Sequence, residues 1–139
     1  MKFGLTSMSL ILSSILMTFS YDSFSQQEES ENYLIFGQID NKAQVFVNEK
    51  KIFESEFIEG GGYLYIDVPL DEHMVKGKNL VTVVLINGTC EDCLQNPWGI
   101  EYEIYEEDDL TSTISESSMG EGGNSSGEVW SETHEFYFE

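Results

Sequence analysis

The chain reads as an all-β protein, a single antiparallel β-sandwich of jelly-roll or immunoglobulin-like Greek-key type, and three observations predict it. From Tyr33 onward the apolar residues recur at period two rather than 3.6. Short apolar runs are separated by Gly, Asn and Asp, the residues that make turns. The segment Val75-Lys76-Gly77-Lys78-Asn79 leads directly into the β-branched run Leu80 to Ile86.

Each element follows from its own residues. Tyr33 to Ile39 is a first strand, ended by the turn formers Asp40-Asn41. Gln44 to Asn48 and Lys50 to Glu54 flank a polar tip at Asn48-Glu49 and predict a hairpin, although that tip lacks the glycine favoured in tight primed turns. Gly60-Gly61-Gly62 is expected to break the chain. Tyr63 to Val68 alternates, so Leu64, Ile66 and Val68 should face the core while Tyr63, Tyr65 and Asp67 face water. Pro69 lacks the N–H of a sheet ladder and ends that strand, and Asp71-Glu72-His73-Met74 suits one short helical turn. Leu80 to Ile86 is apolar on both faces apart from Thr82, the pattern of a central strand covered on both sides. Gly99 to Tyr105 sets Ile100, Tyr102 and Ile104 against Glu101, Glu103 and Tyr105. Between Glu106 and Gly127 acid, Ser and Gly dominate, which predicts a mobile loop over residues 106–127. Val129 to Phe138 restores aromatic alternation as a last strand.

Ahead of these elements Lys2 is followed by the apolar run Leu5 to Phe19 and by Ser23-Phe24-Ser25, the order of a secretory signal peptide over residues 1–25. The run falls short of the roughly 20 apolar residues of a membrane-spanning helix. Cleavage near Gln26 is therefore expected, with no membrane anchor afterwards, residues 26–32 as a disordered tail and residues 33–139 as one domain. An exported protein, periplasmic or secreted, is implied. The whole chain carries 26 acidic residues against 6 lysines, a formal charge of −20, and no arginine. Such a field repels nucleic acid and anionic membranes and attracts cations and basic proteins.

The pairing of Val45-Phe46-Val47-Asn48-Glu49-Lys50 with Lys76-Gly77-Lys78-Asn79-Leu80-Val81-Thr82-Val83 resembles the galactose-binding-like jelly rolls, β-sandwich modules that accompany glycoside hydrolases. A hairpin and a Gly-x-Asn turn entering an apolar strand are shared, over residues 44–105, with Glu49 standing where those modules have glycine. The resemblance implies the sandwich fold, and in that family the two motifs serve turn geometry and packing rather than ligand contact.

Candidate chemistry is sparse. Cys90-Glu91-Asp92-Cys93 in an exported chain predicts a disulfide closing a small loop. A redox site would need positive charge or a helix N-terminus beside the first thiol, and Glu91 and Asp92 supply the reverse. Zinc would need further ligands, and His73 and His134 lie in separate elements. Asp67, Asp71, Glu72, Glu91, Asp92 and Glu106-Glu107-Asp108-Asp109 are hard oxygen donors without the spacing of a calcium loop. Nothing in the sequence calls for a metal or a cofactor, and no nucleophile and base share a motif. Asn87-Gly88-Thr89 and Asn124-Ser125-Ser126 match the glycosylation acceptor pattern by chance.

The expected function is that of a small non-catalytic binding protein engaging a protein or glycan outside the cytoplasm, with Trp98, Tyr102 and Tyr105 as candidate contacts. An alternative is an acidic periplasmic immunity or inhibitor protein whose patch Glu106, Glu107, Asp108 and Asp109 neutralises a basic partner. A structural envelope role is the third.

Overall fold

The computed structural model describes residues 30–91, 95–118 and 126–139. The expected leader, residues 26–29, Cys93 with its expected bond to Cys90, and the Asn124 acceptor lie outside the described residues.

The fold is all-β, and the described residues form seven strands and one short 3-10 turn: β1 Tyr33–Val47, β2 Lys50–Glu54, β3 Ile58–Pro69, the turn Asp71–His73, β4 Gly77–Asn87, β5 Gly99–Glu106, β6 Asp109–Ser117 and β7 Gly127–Phe138. All pairings are antiparallel, and the strands form one curled sheet whose two halves share β1. The first half of β1 pairs with β3 and β5, and β5 pairs with β6. Its second half pairs with β2 and β4, and β4 with β7. We call these halves sheet A (β3-β1-β5-β6) and sheet B (β2-β1-β4-β7).

The two halves close on one core. Leu34, Phe36, Ile39, Ile100 and Tyr102 of sheet A meet Val45, Val81, Val83, Leu85 and Phe136 of sheet B, all essentially without exposure. Rings bridge the layers: Phe36 lies 6.1 Å from Phe53, and Tyr102 lies 6.2 Å from Trp130, centroid to centroid. Each fully buried aliphatic or aromatic side chain contributes about 2 kcal/mol, so the inward alternation is what selects this register. A slip by one residue would turn the whole set outward.

Four expectations are corrected. Asp40-Asn41 does not end a strand: β1 runs through it, because this is where the chain crosses from sheet A to sheet B. Asn41 supplies the missing ladder bonds, its amide donating to the Ile58 carbonyl at 3.2 Å and its oxygen accepting from the Gly88 N–H at 2.6 Å. Gly60-Gly61-Gly62 likewise does not break the chain, since β3 spans it and Gly62 pairs with Ile39. Ser30 to Asn32 are not a disordered tail. The Asp71 carboxylate accepts from the Glu31 N–H and from the Asn32 amide at 2.7 Å each, while the Asn32 carbonyl accepts from Leu70 N–H at 2.9 Å. The fourth concerns the expected loop 106–127. Asp109–Ser117 is a strand paired with β5 along its length, and the connection is a two-residue turn at Glu107-Asp108, with φ 51° and 64°. Those angles define a type I′ turn, the geometry that matches strand twist. Residues 119–125 lie outside the described residues.

The β1–β2 hairpin turns in the same way at Asn48 and Glu49, φ 48° and 69°. The asparagines of the two opening motifs lock together there. Asn79 is completely buried, its oxygen accepts from Asn48 Nδ2 at 2.8 Å and from Val75 N–H at 2.9 Å, and its amide donates to the carbonyls of Val75 and Gly77. Asn48 Oδ1 accepts in turn from the Leu80 N–H at 2.9 Å. β4 is central, between β1 and β7, with Val81, Val83 and Leu85 buried inward. Its outer side is only partly covered: Val84 is nearly buried, Leu80 is 42% exposed.

Candidate binding face

The pleat of sheet A decides what it shows to water. On β3, Leu64, Ile66 and Val68 pack against the core, as the alternation predicts, and Tyr63 and Tyr65 stand 97% and 77% exposed. On β5, Ile100, Tyr102 and Ile104 are buried, leaving Glu101, Glu103 and Tyr105 on the outer side. Between them β1 contributes Tyr33 and Ile35. Register places Asp67, Ile35 and Glu103 in one row across three strands, with Tyr33 and Tyr105 in the next.

Tyr33 and Tyr105 stack, centroids 4.6 Å apart and planes inclined by 12°. The Tyr105 hydroxyl donates to Glu103 Oε2 at 2.9 Å, and that bond, with lesser effects of desolvation and of neighbouring charge, raises the phenol above its ordinary pKa of 10.0. The outer surface therefore holds an aromatic platform bounded by carboxylates. A broad open depression of about 1120 Å³ adjoins it, lined by Tyr33, Tyr65, Asp67 and Pro69 and by Glu31, Asp71, Glu72, Asp108 and Phe138 at the end of the sandwich. The Ser30 to Asn32 strap forms one wall, and the Asp108 N–H donates to the Glu31 carbonyl at 2.9 Å, which ties the β5–β6 turn to it. Among the described residues no three His, Cys, Asp or Glu converge as a metal site.

The residues picked out from sequence are divided by this geometry. Tyr105 belongs to the face. Tyr102 does not: it is fully buried, and its hydroxyl lies 2.7 Å from His134 Nε2 inside the sandwich. Burial raises the Tyr102 phenol and lowers the His134 imidazole from 6.5, so at neutral pH the phenol keeps its proton and the hydrogen bond joins two uncharged groups. Parity with Ile100 and Ile104 already placed Tyr102 inward. Trp98 is half-buried against the core at the opposite end of β5 from Tyr105, roughly 20 Å away along the strand. Its backbone closes the β5–β6 ladder, with Trp98 N–H donating to Ser118 Oγ at 2.9 Å and its carbonyl accepting from Ser118 N–H at 3.0 Å. Of the acidic patch, Glu106 and Asp109 pair across the hairpin, Glu107 and Asp108 form its tip, and Asp108 alone lines the depression. Asn87 is buried, with its amide donating to the Asn96 carbonyl at 3.1 Å, so it offers no acceptor surface.

Sequence reasoning missed Tyr33, Tyr63 and Tyr65 as contacts. The signal existed for two of them, because Tyr63-Leu64-Tyr65-Ile66-Asp67 puts large rings on the wet side of a strand. Comparison of the chain with known protein families, with curated proteins and with solved structures gives no match.

Proposed function

We propose that this is an exported, non-catalytic binding protein that engages a protein or glycan outside the cytoplasm through the outer face of sheet A. The observation that carries the reading is the exposure of Tyr63 and Tyr65 on the same sheet face as the stacked Tyr33–Tyr105 pair. A tyrosine ring contributes to a fold by being desolvated, and rings left in water on a strand contribute almost nothing to it. They become worth their area when a partner covers them, and tyrosine is enriched where partners do so. Export, a mature start near Gln26, a Cys90–Cys93 disulfide and kinship with galactose-binding-like modules belong to the same proposal. The Asn48–Asn79 lock supports the last, since it gives both shared motifs a purely structural use.

A second reading, the acidic immunity or inhibitor protein, is favoured by Asp108, which brings the β5–β6 turn to the rim of the same depression. The test is a binding panel of purified extracellular glycans and of basic and neutral proteins against the mature chain. Saturable binding that weakens at least tenfold in Tyr63→Ala/Tyr65→Ala, with unchanged melting temperature, is expected. Binding indifferent to both tyrosines would move the site away from sheet A.

A further inference from the structure

We propose that the outer face of sheet A takes an extended, cationic protein segment, one carrying lysine or arginine side chains across Tyr63, Tyr65 and the Tyr33–Tyr105 pair. This rests on the reading of that face as the binding face and adds the chemical class of its partner.

The first argument is the distribution of charge. All five lysines among the described residues, Lys42, Lys50, Lys51, Lys76 and Lys78, lie in the strands of sheet B or the turn that enters them. No lysine falls in β3, β5, β6 or the sheet A half of β1, and the chain has no arginine. Those strands and the depression beside them carry Glu31, Asp67, Asp71, Glu72, Glu101, Glu103 and Asp108. The molecule has basic side chains and uses them elsewhere.

The second argument is what covering this face would cost. A neutral ligand would strip water from several carboxylates and offer no countercharge, which is unfavourable wherever ionised groups lose solvent. Repulsion among the carboxylates would also rise as water left. A cationic segment reverses both effects, and complementary potential of this kind speeds encounter and selects the partner. A second copy of this chain would meet like charge, as would a nucleic acid or an anionic membrane.

The third argument is the rings. Lysine ammonium and, better, arginine guanidinium groups stack on exposed aromatic faces, and a tyrosine flanked by carboxylates holds a guanidinium from two sides. Tyr63 and Tyr65 are two residues apart on one strand face, so their spacing is about 7 Å, equal to the repeat of same-side residues in an extended peptide. The open form of the depression suits a chain laid along it rather than an enclosed small molecule.

The experiment uses the mature chain with a fluorescein-labelled alternating lysine-serine decapeptide, its arginine counterpart and a glutamine-serine control, read by anisotropy. Expected are binding of both basic peptides, none of the neutral one, and at least a tenfold loss of affinity between 0.05 and 0.3 M NaCl, an order-of-magnitude figure from the screening of several charge contacts. Tyr63→Ala/Tyr65→Ala and Asp67→Asn/Glu103→Gln should each weaken binding about tenfold, one ~1.4 kcal/mol step. Glu56→Gln/Glu128→Gln, exposed acids outside sheet A, should leave it unchanged. Equal loss in that control would reduce the effect to bulk charge and overturn the proposal. A neutral oligosaccharide bound through the tyrosines, with the basic peptides ignored, would overturn the cationic partner while leaving the face in place. Failure of both ligand classes would remove the face as well.

Discussion

The outer faces of the two sheets are built on the same pleat and treat charge in opposite ways. On sheet B, Glu54 lies 3.2 Å from Lys42 and 2.7 Å from Lys51 and accepts from Gln44, and Lys78 pairs with Glu135. Two of its acids, Glu54 and Glu135, are thus met by lysines of the same sheet. On sheet A, Asp67, Glu101 and Glu103 share a surface with exposed tyrosines and no lysine from any of its strands. Exposed ion pairs contribute at most about 1 kcal/mol each, so stability does not explain why the lysines gather on one side. The difference instead separates a face on which lysines meet acids from one that carries acids and exposed tyrosines without a lysine from its own strands.

The largest expected effect tests the structural half of that contrast. Asn79→Ala removes a fully buried amide that satisfies four partners and couples the β1–β2 hairpin to the turn entering β4. Each stranded donor or acceptor costs about 1–3 kcal/mol, and with water entering to satisfy some of them the expected loss is about 3 kcal/mol in urea unfolding. Binding through sheet A, measured at a temperature where the variant is folded, should be unchanged. A variant that lost binding in step with stability would show that the two faces are not independent.

A pair of glycine substitutions sharpens the comparison. Glu49 and Glu107 both occupy left-handed positions in type I′ turns, Glu49 as the second central residue of one at φ 69° and Glu107 as the first of the other at φ 51°. Releasing a side chain from that region is worth about 1 kcal/mol, so Glu49→Gly and Glu107→Gly should both stabilise by about that amount. Glu107 also leaves a run of four acids, whereas Glu49 precedes Lys50 and Lys51. The gain at Glu107 should therefore exceed the gain at Glu49 in low salt, and the excess should vanish at 1 M NaCl. Equal gains in low salt would mean that the acidic side carries no unrelieved repulsion.

How much of this was legible depends on whether a feature is local or arises from pairing. Period two fixed the inward sets of β3, β4 and β5, and Tyr102 belonged to one of them by the same parity. β6 was hidden because Asp109–Ser117 places one large apolar residue, Ile114, inward on an edge strand whose remaining positions are mostly Thr, Ser and acid, and because its turn lacks glycine. The crossing at Asp40-Asn41 looks like a turn because its polar groups are needed, yet they bond across to Ile58 and Gly88 rather than fold the chain back. Tyr33 and Tyr105 are 72 residues apart in sequence and stack only through the β1–β5 register. The lysine segregation was present in the letters, but it becomes a statement about faces only once β1 is seen to divide between two sheets.

Smaller still is the expected effect of losing the tyrosines on stability. Tyr63→Ala/Tyr65→Ala should change unfolding free energy by no more than about 0.5 kcal/mol, the range for exposed positions without special contacts, as urea titration would show. A larger loss would mean that the rings pack against the fold, which would bring sheet A closer to sheet B in kind.

The finest probe is a titration of single carboxyl groups. Hydrogen bonds from Lys51, then Gln44, then Lys42 hold Glu54 well below 4.5, at about 2. A group whose pKa is depressed by folding contributes stability above its unfolded value, and that contribution is lost as pH falls from about 4.5 toward 2. Carbon-detected NMR should place the Glu54 midpoint near 2 and move it upward in Lys51→Ala. A Glu54 midpoint unmoved in Lys51→Ala would show that the lysines of sheet B do not hold its acids, and the asymmetry on which the cationic partner rests would then be smaller than the placement of the lysines implies.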